Sequence, residues 1–398
     1  MITVAEADNI IKSQIKSFGT ESVHFEDSLG RVLAEDLFAD RDLPPYNRAT
    51  LDGIVIKYSS FEKGIRSFHI KATIAAGDAP VEINKEDECV EIMTGAALPD
   101  STDTVIGYED VEIENGIAFI KNEVINSRQG VHTKGKDKLK NDLVASKDRI
   151  ITPPLIGLAA SIGKVKLLVK KLPKVIVISS GNELVNVDDT PSPYQIRRSN
   201  NYTIVAALKK YKVDAQTLHI PDDPVITRQK IGECLKNYDV IILSGGISMG
   251  KFDYIPSVLE ELSVRKLFHK VQQRPGKPLW FGVHNNGRVV FALPGNPVST
   301  FMCLRRYVIP WLNASLGLPA TRKEFAILNK DFSVKAALQY FLQVKLTLNN
   351  EGGLLAEPIE GNGSGDFANL LDADAFMELP LEQNNFTKGE VFKIWPFD

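Results

Sequence analysis

The chain has 398 residues, of which 43% are hydrophobic and 24% are charged, a composition typical of a globular protein. Its length predicts roughly two to four domains, because one domain usually holds about 100–200 residues. The 47 basic and 50 acidic residues leave a net charge of -3 without a long run of one sign, which argues against nucleic acid or a membrane surface as a partner. With no apolar run of about 18 residues and no signal peptide, a cytoplasmic protein is expected.

The first segment, from residue 1 to about 35, is predicted to be helical and to begin with a Thr3–Glu6 capping box. The next stretch, EDLFADRDLPPYNRATLDGIVI (35–56), contains Pro44 and Pro45 and ends near Asp52. A proline pair fits neither a helix nor a central strand, so we expect an exposed, stiffened loop.

A small β domain is predicted from about 66 to 125, where short β-branched runs are separated by turns. Within VEIENGIAFI (111–120), Asn115-Gly116 predicts a type I′ hairpin, because both central residues need positive φ. A lysine-rich stretch (133–149) leads out of this domain. The stretch TPPLIGLAASIG (152–163) then predicts a helix with prolines in its first turn.

Strands alternate with helices between about 173 and 315. Apolar runs lie at 174–179, 215–220, 239–244 and 288–293, with helical segments between them. This alternation predicts βαβ units and a doubly wound α/β domain, whose parallel sheet is covered by helices on both faces. From about 319 the pattern is β again, so the last ~80 residues are predicted to form a separate β domain or barrel.

Ligands of open parallel sheets bind at the carboxyl ends of the strands. The loops expected there are rich in glycine, which permits close backbone approach to an anion. Arg274 and Lys277 would add positive charge for a phosphate or another oxyanion, and Asp253 would suit Mg²⁺, which takes one or two carboxylates plus phosphate and water. Together they predict a phosphate-bearing ligand and a divalent metal. These loops are SSGNEL (179–184), PDDP (221–224), SGGISMGKFDY (244–254), QQRPGKP (272–278) and LPGNP (293–297).

Each loop has a simpler interpretation when it is taken alone. A Gly-Gly turn is often only structural, PDDP is most simply a helix start with an aspartate cap, and a lone basic residue is usually solvated. The chain has no P-loop, dinucleotide fingerprint or zinc motif, and His132 and His269 are interpreted as incidental. Cys89, Cys234 and Cys303 are expected to be buried thiols.

In their order along the chain, the motifs resemble the molybdopterin molybdenumtransferase family, which includes MoeA and the gephyrin E domain. The resemblance extends over almost the whole chain. It rests on DLPPYNRATLDG (42–53), IMTGAALPDSTDTVIGYED (92–110), SSGNEL (179–184), SGGISMGKFDY (244–254), RPGKPLWFG (274–282), LPGNPVST (293–300) and GSGDFANLLDADAFMELP (363–380).

The family fold implied by this resemblance is a multidomain α/β architecture. A MogA-like α/β domain (173–318) would bind molybdopterin, and a C-terminal β barrel (319–398) would follow it. The remaining parts would be an N-terminal linking domain (1–55 and 131–172) and an inserted β-rich domain (56–130). The family also implies an elongated homodimer whose active site is shared between the α/β domain of one subunit and the N-terminal loops of the other.

The implied reaction is the Mg²⁺-dependent insertion of molybdate into adenylylated molybdopterin, with release of AMP. The oxyanion would need hydrogen-bond donors and positive charge, and the leaving phosphate would need neutralisation by the metal. Two alternatives stay open: a molybdopterin-binding scaffold with weak or no turnover, and a molybdopterin adenylyltransferase. The adenylyltransferase is also a candidate partner.

Individual residues receive roles from the same resemblance. Asp52 and Asp253 are the expected metal ligands, and Asp52, Thr94, Asp253 and Lys277 are the candidate catalytic residues. The expected substrate-binding residues are Gly181, Asn182, Glu183, Ser244, Gly245, Gly246, Ser248, Gly250, Arg274, Pro294, Asn296, Pro297 and Ser299.

Two positions depart from the family pattern. Asn182 stands where aspartate is usual, and Lys136 stands where glutamate is expected, whereas Asp137 is retained. Asparagine offers an oxygen ligand without a charge, so metal affinity and AMP cleavage are the properties expected to change. Asp253 is then expected to carry more of the metal binding.

Overall fold

The computed structural model describes residues 1–247, 253–320, 324–334, 337–359, 361 and 363–397. Within these residues, three six-stranded sheets dominate the fold, and each is covered by its own buried apolar cluster. None of the helices in the described residues is long and apolar enough to cross a membrane.

The amino-terminal helix, Val4–Lys12, begins with the predicted capping box. The Glu6 N–H donates to Thr3 Oγ1 (3.2 Å) and the Thr3 N–H donates to the Glu6 carboxylate (2.7 Å). The prediction that helices extend to about residue 35 is wrong, because Thr20–His24 is a strand that pairs with Lys166–Lys170. Pairing with a distant segment outweighs a weak local helix signal.

The linking region is formed by two separate parts of the chain. Short antiparallel pairs join Arg48–Ala49 to Val131–His132 and Leu37–Phe38 to Leu143–Ala145. The predicted proline-led helix is confirmed as Pro153–Ser161. The chain therefore leaves this region after about residue 50 and returns to it near residue 130.

The inserted β region is a six-stranded sheet that contains the predicted hairpin. At its tip Asn115 has φ 50° and Gly116 has φ 76°, as a type I′ turn requires. The expected boundary after residue 55 is wrong, because it cuts a strand that pairs on both of its sides within this sheet. The strands are Gly53–Ile56, Ser67–Ile74, Glu88–Ile92, Thr104–Gly107, Val111–Glu114 and Ile117–Ile120, with a short helix at Tyr58–Glu62.

The α/β region contains the four predicted strands, which are parallel and lie in the order Ala215–Ile220, Val175–Ser180, Val240–Ser244, Val289–Leu293. Two antiparallel strands, which were not predicted, extend the sheet beyond Val289–Leu293. Alternate side chains of the parallel strands enter two different apolar clusters, so both faces are covered. The antiparallel strands are Trp280–His284 and Val264–His269, and the helices are Asn200–Lys209, Pro224–Asn237, Ile255–Glu261 and Pro297–Cys303.

After Pro297–Cys303 the helix continues through a π-helical turn, Leu304–Val308, into Ile309–Ser315. The π-helical turn carries Arg306 and Tyr307, which are only 4% and 1% exposed. A π turn changes the angular spacing of side chains, and here two consecutive polar side chains enter the interior.

The C-terminal barrel prediction is confirmed, since five strands form a ring in which each one pairs with two neighbours. One strand of the ring also pairs with Gln273–Arg274 of the α/β region, through Gln339 and Tyr340. The α/β region and the barrel are thus joined by backbone pairing as well as by side chains. The ring consists of Glu324–Leu328, Gln339–Leu348, Leu354–Pro358, Ala375–Leu379 and Val391–Pro396.

Each of the three cysteines is a buried free thiol, as the sequence predicted. Burial raises the pKa of Cys89 to about 12 and the pKa of Cys234 to about 11, so both stay protonated at neutral pH. Cys303 lies in the core beneath the Arg274–Lys277 loop.

Candidate active site

Two predicted glycine loops meet at the carboxyl edge of the parallel strands. The Gly245 N–H donates to the Leu293 carbonyl at 3.2 Å, which joins the loop after Val240–Ser244 to the loop after Val289–Leu293. Gly245 and Gly246 have φ values of 94° and 69°, a conformation that favours glycine. An added Cβ would lie 2.9 Å from the Ser180 carbonyl oxygen at Gly245 and 2.6 Å from Ile255 Cδ1 at Gly246, so the turn has no room for a larger residue. Ser248 and Gly250, two expected substrate-binding residues of the same segment, lie outside the described residues.

Asn200 links these loops, although no local signal in the sequence predicted this role. Its Nδ2 donates to Ser244 Oγ (2.9 Å) and to the Gly295 carbonyl (2.7 Å). Ser244 Oγ also lies 3.5 Å from the Pro294 carbonyl. Asn200 is the first residue of the helix Asn200–Lys209, so its position at the strand edge became evident only from the packing of that helix.

Asn182 forms a reciprocal hydrogen-bonded pair with Asp222 at the same edge. The Asn182 N–H donates to Asp222 Oδ2, and the Asp222 N–H donates to Asn182 Oδ1, each at 3.1 Å. Ser180 Oγ also donates to Asp222 Oδ1 (3.2 Å). The neutral amide of Asn182 therefore lies beside an acidic side chain, where an aspartate would add a second negative charge.

The neighbouring residues of these two loops have simpler structural roles. Asp223 caps the helix Pro224–Asn237 by accepting from Val225 N–H and Ile226 N–H, each at 2.9 Å, so the helix-start interpretation of PDDP is confirmed. Glu183, another expected binding residue, is exposed and turns its carboxylate back towards Gly181.

A cavity of about 750 Å³ lies between the α/β region and the barrel. It brings together several expected binding residues from separate parts of the chain, with aromatic and polar side chains of the barrel opposite them. Its size is within the range of small-molecule sites. The predicted residues that line it are Arg274, Lys277, Pro294, Asn296 and Ser299.

The Arg274–Lys277 loop was expected to follow a parallel strand, and this expectation is wrong. The loop precedes the antiparallel strand Trp280–His284, and its first residue, Arg274, pairs with Tyr340 of the barrel. The Arg274 guanidinium also lies 5.9 Å from the centre of the Tyr340 ring. Both basic side chains are exposed, and neither forms an ion pair with any described residue. The site therefore presents two positive charges to the cavity.

The last predicted loop meets the barrel on the other side of the cavity. Asn296 Nδ2 donates to Ser364 Oγ (2.8 Å), and the Val298 N–H donates to the Ser364 carbonyl (3.2 Å). Pro297 is the first residue of the helix Pro297–Cys303, and Ser299 is buried within that helix. Ser364 is thus a barrel residue of the site that had not been predicted individually, although it lies in the segment 363–380 that resembles the family.

Asp52 and Thr94 lie together at the edge of the inserted sheet. The Thr94 N–H and Oγ1 both donate to Asp52 Oδ1, at 2.6 and 2.7 Å. Hydrogen bonds from the Thr94 side chain and backbone lower the pKa of Asp52, so its carboxylate is ionised at neutral pH. An exposed, ionised carboxylate is a suitable hard-oxygen ligand for Mg²⁺.

The two expected metal ligands lie in different regions of the chain. Asp52 precedes a strand of the inserted sheet, whereas Asp253 precedes the helix Ile255–Glu261 of the α/β region. Among the described residues, no group of three or more His, Cys, Asp or Glu side chains is arranged to hold a metal. Two carboxylates are nevertheless enough when phosphate oxygens and water complete the shell of Mg²⁺.

Near the linking region, the retained Asp137 and the departing Lys136 are adjacent residues with different surroundings. Asp137 Oδ1 lies 3.0 Å from His132 Nε2, and His132 Nδ1 lies 3.3 Å from Arg48 Nη2. Lys136 is in the adjacent turn and is bonded through its N–H to the Thr133 carbonyl. His269, the other histidine considered, contacts the Ile247 carbonyl at 3.1 Å.

Sequence profiles of three family regions match this chain. "MoeA N-terminal region (domain I and II)" matches residues 2–163, "Probable molybdopterin binding domain" matches 176–314, and "MoeA C-terminal region (domain IV)" matches 326–397. The fold and the paired loops thus define a protein with a molybdopterin-binding type of α/β domain between MoeA-type terminal regions.

Full-length relatives agree with these profiles. A "Molybdopterin molybdenumtransferase" of Synechocystis is 37% identical over 99% of this chain and 100% of its own length, and one of Bacillus subtilis is 31% identical over 99% and 93%. A crystal structure of a molybdopterin biosynthesis MoeA protein from Pyrococcus horikosii covers 100% of this chain and 99% of its own, with a TM-score of 0.85 and 32% identity. The chain belongs to the MoeA family of molybdopterin molybdenumtransferases, as the sequence predicted.

Proposed function

We propose that this protein inserts molybdate into adenylylated molybdopterin and releases AMP, with Mg²⁺ as its metal. The observation that supports this reaction most directly is the cavity, which is lined by Arg274 and Lys277 together with the Pro294–Asn296 loop. Positive charge, hydrogen-bond donors and open backbone are what a phosphate and a molybdate require.

The proposed roles follow from the chemistry of each group. Gly245 and Gly246 would let the phosphate of the pterin approach the backbone, and Arg274 and Lys277 would bind molybdate or phosphate. Asp253 and Asp52 would hold Mg²⁺, which would neutralise the charge that develops as the phosphoanhydride breaks and AMP leaves.

A homodimer with a shared active site is part of the proposal. Asp52 and Asp253 lie in separate regions of one chain, so a second subunit offers a way to bring such carboxylates together. The linking region also exposes apolar side chains. Phe38 and Leu143 lie opposite each other on two paired strands, and they are 52% and 46% exposed. A partner subunit that packed on this face would remove both side chains from water.

The proposed partner is the molybdopterin adenylyltransferase that would supply the substrate. A cytoplasmic location is proposed as well, in keeping with three buried thiols that form no disulfide.

The proposed reaction is tested by mixing purified protein with adenylylated molybdopterin, molybdate and Mg²⁺ while following AMP release and cofactor formation. Release of AMP in step with cofactor formation is the expected result. Tight binding of the pterin without turnover would instead support the scaffold, and consumption of ATP with bare molybdopterin would support the adenylyltransferase.

The shared site predicts complementation between two inactive variants. Asp52→Ala and Asp253→Ala chains are expected to be inactive alone, but a mixed dimer would hold one site with both carboxylates intact. Random pairing makes half of the dimers mixed, so co-expressed chains should recover about a quarter of the normal activity. AMP release by the co-purified mixture, together with native mass measurement, checks this.

The matched control is co-expression of Asp52→Ala with Thr94→Ala. Both changes lie on the same side of the proposed shared site, so every site in the mixed dimer would carry one of them and activity should stay low. Equal recovery in both mixtures, or recovery in neither, would contradict sharing of the site between subunits.

A further inference from the structure

The loop that carries Arg274 and Lys277 rests on a polar side chain that is completely buried. Gln273 is 0% exposed, and its Nε2 donates to the Gly276 carbonyl at 2.9 Å. A buried amide is costly unless both of its ends are hydrogen-bonded. The other end, Oε1, accepts from the hydroxyl of Tyr307.

Tyr307 fixes the orientation of this amide. Its side chain is 1% exposed, and burial raises its pKa well above the ordinary value, so the hydroxyl keeps the proton that it donates. Because Oε1 is bound by Tyr307, the NH₂ group of Gln273 faces the loop. The hydroxyl and the amide thus form a chain of two hydrogen bonds from the π-helical turn Leu304–Val308 to Gly276. This chain of hydrogen bonds is called the relay below.

Gly276 is the point at which the loop touches the core. Its φ is 86°, and an added Cβ would lie 2.6 Å from Cys303 Sγ and 2.7 Å from Met302 Cε. The Val271 N–H also donates to the Lys277 carbonyl at 2.9 Å, which closes the loop at its base. The backbone between Gln273 and Lys277 is therefore held from inside the protein.

The side chains of Arg274 and Lys277 are long and exposed, and they form no ion pair within the described part of the chain. Their charges are therefore placed mainly by the backbone from which they extend. We propose that Gln273 and Tyr307 are positioning residues, which hold the Arg274–Lys277 loop in the geometry that binds the anionic substrate. This inference rests on the proposed function, in which that loop binds molybdate or phosphate.

The test begins with Lys277→Ala. The KM that this variant raises, for molybdate or for adenylylated molybdopterin, identifies the substrate that the loop binds. If neither KM changes, the assigned role of the loop is wrong and the positioning role is rejected with it. If one KM rises, the role of the loop stands and the relay can be judged separately.

Tyr307→Phe removes one hydroxyl and leaves Gln273 Oε1 without its donor. We expect it to raise the KM of that same substrate about tenfold, with little change in kcat, since a lost buried hydrogen bond is of that size. Added to a chain that already carries Arg274→Ala and Lys277→Ala, Tyr307→Phe should raise this KM no further, because neither positive charge is left to position. Independent effects that simply multiply would overturn the proposal.

A second pair of variants separates positioning from stability. Tyr307→Phe/Gln273→Leu removes both polar partners, which should restore part of the thermal stability that Tyr307→Phe loses, whereas the KM should stay high. Recovery of the KM together with stability would mean that the relay is only structural. Tyr211→Phe, which removes a hydroxyl lying 3.5 Å from Arg305 Nη1, is the control and should leave the KM unchanged.

Discussion

Replacing Asp253 with alanine is expected to lower the rate of AMP release about 100-fold or more. The metal is proposed to contribute several kcal/mol to the transition state, and each 1.4 kcal/mol corresponds to about tenfold in rate. Asp253→Asn, which keeps an oxygen ligand but loses the charge, should be less severe and should improve as the Mg²⁺ concentration is raised. Steady-state rates across a Mg²⁺ titration measure both effects.

Asp223→Ala is the matched control for this prediction. Asp223 is also a carboxylate at the carboxyl edge of the sheet, but its oxygen caps the helix Pro224–Asn237. Its loss should cost about 1 kcal/mol of stability and leave the rate of AMP release unchanged. If Asp253→Ala behaved like this control, Asp253 would have no role as a metal ligand.

The second large effect concerns Arg306, whose replacement by alanine is expected to lower the free energy of unfolding by about 3 kcal/mol. Its guanidinium makes a two-point contact with Asp8 (2.6 and 2.8 Å), lies 3.5 Å from Glu378 and covers the Trp395 ring at 4.3 Å. Removing the cation leaves two carboxylates without their shared partner in a largely buried site, and breaking a buried pair costs about 3–5 kcal/mol. Denaturant unfolding of the variant measures the loss.

Arg306 connects three parts of the chain, because Asp8 is in the first helix, Arg306 in the α/β region and Glu378 in the barrel. The control is Arg228→Ala, which removes an exposed pair with Glu261 (3.5 Å) and should cost less than about 1 kcal/mol. Equal losses in the two variants would show that Arg306 is not a structural centre of the fold.

Elements with a strong local signal were predictable from the sequence. Asn115-Gly116 supplied the positive φ values of its own turn, Pro153 marked the start of its helix, and four apolar runs became the parallel strands. In each of these cases the residues that determine the structure are close together along the chain.

The parts that the sequence did not predict depend on distant partners. The strand Thr20–His24 forms by pairing with Lys166–Lys170, and the strand Val264–His269 forms by antiparallel pairing with Trp280–His284. Neither pairing has a local signal, because hydrogen bonds between distant strands leave no mark on the spacing of residues within one strand.

The candidate site shows the same division. The glycines at the strand edge, the helix cap at Asp223 and the basic residues could be predicted, because each is recognised from the residue types within a single loop. Asn200 and Ser364 were missed, because their hydrogen bonds join segments that are far apart in the sequence. The assignment of Asp52 and Asp253 as metal ligands remains a prediction, which the complementation and rate experiments test.

The departure at Asn182 is also clearer in three dimensions. Asn182 does not simply lose a carboxylate, since its amide accepts from the Asp222 N–H and its own N–H reaches the Asp222 carboxylate. The acidic charge at this edge therefore comes from the adjacent loop. Asp253 remains the carboxylate proposed for the metal.

The pairing of Gln273–Arg274 with Gln339 and Tyr340 has a consequence for the order in which the protein matures during synthesis. All strands of the α/β sheet have been made once residue 293 leaves the ribosome, yet the segment that pairs with Arg274 follows some 45 residues later. The nascent α/β region can thus assemble while its basic loop still lacks this neighbour. Competence to bind the anion should accordingly be acquired late, after the barrel has been made.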